Sequence, residues 1–392
     1  MAAPHITQPD RHQPAYSNTF RLTLSPRIRK TPFHNSAAAA GMTDLSVYNK
    51  MVLPTSFGDL EAEYNRLLEG VAIWDVSCER QVQISGPDAH ACVQYLTARD
   101  LSNMVEGQGK YVAMCDHQGR ILNDPVLMKL SGNRYWFSLA DSDMLLWCRA
   151  IAAERGFDVE VSEPDVSPLA VQGPKAEGLV AELFGDHIRE LKYFWFIETD
   201  LDGIPLVLCR SGWSKQGGFE LFLQDGSRGD ELWQAVVTAG QKYGIGPGAP
   251  NSVERVESGL LSWGNDTTPD SNPLEAGMAR FVDVDTDVDY IGKAALQQVV
   301  AGGGPERLLV GLYLGLEGNP AVTNAWPLVE RAPVTLDGQE VGTISAVVFS
   351  HRLQRTVGIG QIKRSVVESG AVVDVQTPHG LTTASITSLP FI

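Results

Sequence analysis

Two carboxylates stand where the surrounding sequence is apolar. Glu220 interrupts Phe219-Glu220-Leu221-Phe222-Leu223, and Asp124 interrupts Ile121-Leu122-Asn123-Asp124-Pro125-Val126-Leu127-Met128. An ionised carboxylate is expensive to bury without a partner, and Asp is disfavoured on a strand. Each acid admits two readings. Glu220 either faces water from an edge strand or waits for a ligand that donates hydrogen bonds. Asp124 either marks a bulge ahead of Pro125 or serves a site. Paired with aromatics such as Tyr111 and Trp213, the two acids would suit a cation or a protonated heterocycle. A lone Trp is equally at home packed beneath a loop. The sequence has no G-x-S-x-G elbow, no Cys-His arrangement and no P-loop, and Gly107-Gln108-Gly109 is too short for a dinucleotide fingerprint.

The elements that must position these acids can be read around them. Arg210-Ser211-Gly212-Trp213-Ser214-Lys215-Gln216-Gly217-Gly218 lies between the apolar runs Leu206–Cys209 and Phe219–Leu223. That pattern predicts strand, glycine-rich loop, strand. Alternation puts Phe219, Leu221 and Leu223 on one face and Glu220 with Phe222 on the other. Lys110–Cys115, the turn Asp116-His117-Gln118-Gly119 and Arg120–Met128 predict a hairpin carrying Tyr111 and Asp124. Asp59 opens a helix with Leu60, Tyr64, Leu67 and Leu68 on one face. Ile84-Ser85-Gly86-Pro87-Asp88-Ala89 is echoed by Val171-Gln172-Gly173-Pro174-Lys175-Ala176. Each copy ends a strand and starts a helix, with Pro pre-set for the first helical turn. Two similar α/β subdomains are the simplest account. A capping-box-like start at Asn251–Glu254 predicts a helix bearing Val253, Val256, Leu260 and Trp263, broken at Gly264-Asn265-Asp266. Gly302-Gly303-Gly304-Pro305 reads as a linker. The short β runs beyond it, with no convincing helix, predict a small all-β barrel or sandwich.

Composition bounds the chemistry. With 392 residues and a formal charge of −16, the chain is a poor binder of phosphate backbones, so nucleic acid is not expected as a partner. No apolar run approaches the ~18 residues of a membrane span. Cys78, Cys92, Cys115, Cys148 and Cys209 form no C-x-x-C pair, and the eight histidines do not cluster. A reduced, metal-free, cytoplasmic protein is expected. The first forty residues hold Arg11, Arg21, Arg27, Arg29 and Lys30 against the single acid Asp10. Rich in Pro, Ser and Gln, the segment reads as a poorly ordered arm that packs on the body or on another subunit.

Together with Ile73-Trp74-Asp75-Val76-Ser77, Glu79-Arg80-Gln81-Val82, Gly217-Gly218-Phe219-Glu220, Gly264-Asn265-Asp266 and Pro273-Leu274-Glu275-Ala276-Gly277, these motifs resemble the aminomethyltransferase family, that of the glycine-cleavage T-protein. The resemblance covers residues 45–392. It implies an α+β fold of three domains in a ring around a channel that binds tetrahydrofolate. The parts would be an N-terminal arm at 1–44, a folate-binding region of two α/β subdomains at 45–300 and a C-terminal β-barrel at 301–392. Within the family, Ser211–Glu220 and Ala140-Asp141-Ser142-Asp143 are most similar to the branch that demethylates a sulfonium, which carries Tyr at the position of Phe222. The resemblance therefore implies a small-molecule sulfonium substrate beside folate. Asp124 would be catalytic, near the reacting nitrogen. Glu220, Tyr111 and Arg255 would bind the cofactor, and Trp213, Tyr48 and Ser211 the substrate. The folate loop carries no cysteine, unlike the family's iron–sulfur assembly proteins. A relative with an aminomethyl, O-methyl or N-methyl donor and a non-catalytic folate-binding protein stay open, as does a homodimer.

Overall fold

The computed structural model describes residues 25–315, 327–377 and 380–392. The chain divides into two compact units: Arg27–Asn251 with Leu261–Pro305, and Ser252–Leu260 with Glu306–Ile392.

Alternation along the strands builds the first unit. A six-stranded sheet runs in the order Phe196–Leu201, Ile204–Cys209, Gly218–Leu223, Ser167–Gln172, Val71–Asp75, Ile245–Pro247, antiparallel except for the last pair. Phe219, Leu221 and Leu223 join Leu169, Val171, Leu206 and Leu208 on one face, packed against the helices Ala176–Phe184 and Gly229–Gly240. The opposite face turns Val207, Cys209 and Phe222 onto Met128, Leu130 and Trp136 of a second, five-stranded sheet. That sheet rests its other face on the helices Ala89–Leu96 and Leu145–Arg155. Two sheets thus meet face to face with helices outside. Each fully buried Leu or Phe side chain contributes about 1.5–3 kcal/mol.

The two echoed segments have the same role. Ala89 donates its N–H to the Gly86 carbonyl at 3.1 Å, and Ala176 to Gly173 at 3.0 Å. Gly86 and Gly173 sit at φ +131° and +125°. A Cβ there would stand 2.7 Å from the Asp158 carbonyl oxygen and 2.5 Å from that of Gly70. Only glycine admits both the backbone angle and the close approach.

Near the start of the chain, part of the expected arm packs on the body. Phe33 is fully buried in the first core, 6.5 Å from the Trp233 ring. Ala37 of the helix His34–Ala39 is buried beside it, and Thr31 donates its hydroxyl to buried Asp75. Packing therefore begins well before residue 45, because a few apolar side chains among polar ones suffice to dock a segment. Residues 1–24 of the expected arm lie outside the described residues.

In the second unit, Arg307–Leu314, Arg355–Lys363, Gln339–Ser350, Pro327–Leu336, Val372–Thr377 and Gly380–Thr387 close into a six-stranded barrel. Val310, Leu312, Ile344, Ile362 and Val375 fill it. A short helix, Arg364–Ser369, is present where none was expected. The helix starting at Ser252 ends at Glu257, short of Leu260 and Trp263. Gly259 at φ +63° ends it, with Leu260 N–H on the Arg255 carbonyl and Gly259 N–H on that of Val256. This is the left-handed C-terminal cap in which two carbonyls are satisfied. Fully buried Glu257 accepts from Ser350 Oγ at 2.6 Å and Arg352 Nε at 2.7 Å.

Candidate active site

Glu220 lies on an interior strand, paired with Cys209 on one side and Ala170 on the other. The edge-strand reading is therefore excluded, and the carboxylate is 6% exposed on the face that meets the second sheet. Ser211 Oγ donates to Glu220 Oε2. Burial pushes the Glu220 carboxyl above its usual range, partly offset by this bond. Ser211 is itself buried, with its hydroxyl committed to the acid.

The loop that presents Ser211 is held by Gln172, from the second echoed segment. Gln172 Nε2 donates to the Ser211 carbonyl at 3.0 Å, and its Oε1 accepts from Ser214 Oγ at 2.8 Å. Trp213, half-buried, donates Nε1–H to the Leu261 carbonyl at 3.0 Å. Tyr193 donates its hydroxyl to the Gly212 carbonyl at 3.2 Å.

Asp124 occupies the break between the strands Ile121–Asn123 and Val126–Leu130. Its neighbour Asn123 anchors that break, with Nδ2 on the Ala140 carbonyl at 3.1 Å and Oδ1 accepting from Ala140 N–H at 3.0 Å. Tyr111 donates its hydroxyl to Asp124 Oδ2 at 2.6 Å. Asp124 Oδ1 is buried without a hydrogen-bond partner. Burial and the charge of Asp266 push the carboxyl up to about 7 against the Tyr111 bond. An unpaired acceptor in a buried acid is a demand for a donor or a cation.

A third carboxylate completes the cluster. Glu79 follows the strand Val71–Asp75 in a turn closed by its own N–H on the Val76 carbonyl at 2.9 Å. Burial and the charges of Glu220 and Asp124 raise its carboxyl well above the usual range, with Ser138 offsetting part of this. Adjacent Arg80 does not neutralise it, since that guanidinium is committed to Glu163 and Asp143. Tyr48 stands beside Glu79 and Asp124; burial and then the charge of Glu79 push its phenol up. Asn49 and Lys50, both at positive φ, make the tight turn after it, and Asn49 Nδ2 ties that turn to the Ala140 carbonyl at 2.8 Å.

The structure thus groups Tyr48, Tyr111, Asp124, Ser211 and Glu220, with Trp213 in the same loop as Ser211. Arg255 belongs to the other unit, where it is buried and donates Nη1–H to the Leu260 carbonyl at 3.2 Å. Glu79 and Tyr193 escaped the reading of residues because neither interrupts an apolar strand. The available signal for Glu79 was an acid placed directly after the buried run Val71–Cys78. Among the described residues no basic side chain hydrogen-bonds to Glu79, Asp124 or Glu220, so like charges crowd a poorly solvated space. Such a site favours protonation, a cation, or a ligand rich in N–H donors.

Comparison with known proteins follows the same outline. Residues 33–286 match the family model of the GCVT N-terminal domain, and residues 307–392 that of the glycine cleavage T-protein C-terminal barrel domain. The chain is 45% identical to dimethylsulfoniopropionate demethylase DmdA of Ruegeria pomeroyi, over 91% of this chain and 95% of that one. It is 30% identical to the aminomethyltransferase of Bacillus subtilis, over 86% of this chain and 92% of that one. The crystal structure of the glycine cleavage system aminomethyltransferase T from Bartonella henselae superposes with a TM-score of 0.81 at 22% identity, covering 93% of this chain and 98% of that one, which shows a common fold.

Proposed function

Since the chain belongs to the glycine cleavage T-protein family, we propose that it transfers a methyl group from dimethylsulfoniopropionate to tetrahydrofolate, releasing methylthiopropionate and forming 5-methyltetrahydrofolate. The observation that carries this reading is the cluster of Glu79, Asp124 and Glu220, in which Asp124 and Glu220 are buried and Asp124 leaves one acceptor unpaired. The similarity to a dimethylsulfoniopropionate demethylase supports the choice of donor. A sulfonium brings positive charge to acids that lack a basic hydrogen-bonding partner. The five cysteines are buried and unpaired, which supports a reducing, cytoplasmic location; no helix among the described residues is long and apolar enough to cross a membrane.

The residues present fit a pterin. Glu220 retains acceptor capacity beyond the Ser211 bond, and a carboxylate accepts two parallel N–H bonds from an amide and amino edge in a charge-assisted arrangement. Asp124 Oδ1 offers a second free acceptor. When bound, tetrahydrofolate supplies N5 as the methyl acceptor. The chain's own part is to hold that nitrogen and the sulfonium methyl in line, exclude water and receive the proton released. Asp124 suits the last task because a carboxyl near 7 both takes and returns a proton at neutral pH. Tyr111 fixes its orientation, and Tyr48 shields its side of the cluster. Little acid catalysis is required, since a sulfonium leaves as a neutral thioether.

Glu220→Gln tests the folate contact. It keeps shape and removes charge, and calorimetric affinity for tetrahydrofolate should fall by about 1.5–3 kcal/mol, roughly tenfold to a hundredfold. Unchanged affinity in a variant with wild-type melting would remove Glu220 from the folate site.

A further inference from the structure

Tyr193 lies in a run of three aromatics, Tyr193-Phe194-Trp195, just ahead of the strand Phe196–Leu201. Its side chain is large, apolar over most of its area and 56% exposed. Exposure of a single aromatic is ordinary; the way this one is held is not. Its hydroxyl reaches the Gly212 carbonyl, within the loop that carries Ser211 and Trp213. Its ring lies 4.3 Å from that of Phe194. Phe194 takes φ +63°, a left-handed angle that costs a bulky side chain energy. That angle is locked by three backbone contacts: Phe194 N–H on the Arg210 carbonyl at 2.8 Å, its carbonyl under Gly109 N–H at 2.6 Å, and Trp195 N–H on Lys192 at 2.9 Å. The chain thus spends strain to place an aromatic ring, not to bury one.

The ring's neighbours say which end of the site it serves. Tyr48 stands beside Glu79 and Asp124, whereas the Tyr193 hydroxyl bonds the Gly212 carbonyl, next in the chain to the Ser211 that donates to Glu220. The cluster therefore has a Tyr48–Tyr111–Asp124 end and a Tyr193–Ser211–Glu220 end, with Glu79 facing both acids. An exposed, oriented aromatic tied to the loop that holds a carboxylate able to accept N–H bonds in a plane is a pairing that reads a flat heterocycle: the acid holds the edge and the ring covers a face.

We propose that Tyr193 is a ligand-contacting residue at the Glu220 end, whose ring stacks on the fused heteroaromatic ring of the folate. The assignment rests on the folate reading above and goes beyond it in naming the residue that covers the pterin face.

The test is isothermal titration of wild type, Tyr193→Leu and Tyr193→Phe with tetrahydrofolate and, separately, with dimethylsulfoniopropionate. Stacking on an aromatic side chain is worth enough that Tyr193→Leu should weaken tetrahydrofolate by roughly five- to a hundredfold. Tyr193→Phe, which keeps the ring and loses the Gly212 bond, should restore most of that loss. Sulfonium affinity should change less than tetrahydrofolate affinity. Leu-variant binding equal to wild type overturns the proposal, as does a Phe variant as weak as the Leu variant, which would assign the effect to the hydroxyl. Equal losses for both ligands, or a sharply lowered melting temperature in Tyr193→Leu, overturn it in favour of a structural role. Wild type that fails to bind tetrahydrofolate removes the folate reading and this proposal with it; wild type that binds, with Tyr193→Leu indifferent, removes this proposal alone.

Discussion

Asp124 shows how a single residue trades stability for chemistry. Its carboxyl is raised to about 7 by burial and by Asp266, well above the ~3.9 of an unfolded chain. A group shifted this way favours folding most when protonated. That contribution is complete below about pH 4 and is lost as pH rises through about 7. The charged form, needed to accept a proton, is thus the one the fold tolerates least, at a cost of up to roughly 4 kcal/mol. Asp124→Asn is therefore expected to melt higher than wild type at pH 8 and nearly alike at pH 4. The same substitution should abolish most turnover. In wild type, kcat/KM for the sulfonium should fall as pH drops through about 7, following protonation of the free enzyme. A destabilised Asn variant at pH 8, or a pH–rate profile flat between 6 and 8, would contradict this account of Asp124.

At the scale of elements, the site was legible wherever a polar residue broke an apolar pattern. Period-two alternation placed Phe219, Leu221 and Leu223 in one core and Glu220 with Phe222 on the other face, as observed. It could not say whether the strand was interior, because neighbouring strands are set by distant pairings such as Glu220 with Ala170. The hairpin carrying Asp124 was readable from its turn, where Asp116 Oδ1 accepts from Gln118 and Arg120 N–H at 2.8 and 2.9 Å. The helix after Asn251 was over-extended because apolar spacing continued past Ser258-Gly259, where a left-handed glycine ended it. Composition also could not say where the start of the chain docks. Phe33 docks on Trp233, far along the sequence, and composition averages such a contact away. Phe33→Ala is expected to cost about 3–5 kcal/mol, read as a lower denaturant midpoint with an unchanged slope. A shift under about 1 kcal/mol would return that segment to the status of a loosely attached arm.

At the scale of the whole molecule, the two units follow the family's two domain models except for Ser252–Leu260, which falls within the N-terminal model yet belongs to the barrel's unit. The first holds the carboxylate cluster, its tyrosines and the glycine-rich loop. The second closes a barrel and fixes the helix of Arg255 through Glu257 and Arg352. The central claim is the identity of the donor and acceptor. Purified protein should be incubated with tetrahydrofolate and dimethylsulfoniopropionate labelled with deuterium in its S-methyl groups, in parallel with N-methyl, O-methyl and aminomethyl donors, and the folate products read by mass spectrometry. The expected result is 5-methyltetrahydrofolate carrying an intact trideuteromethyl group, in amounts equal to the methylthiopropionate released, from the sulfonium alone. Turnover of an aminomethyl, N-methyl or O-methyl donor without turnover of the sulfonium, or no labelled folate from any donor, would contradict it.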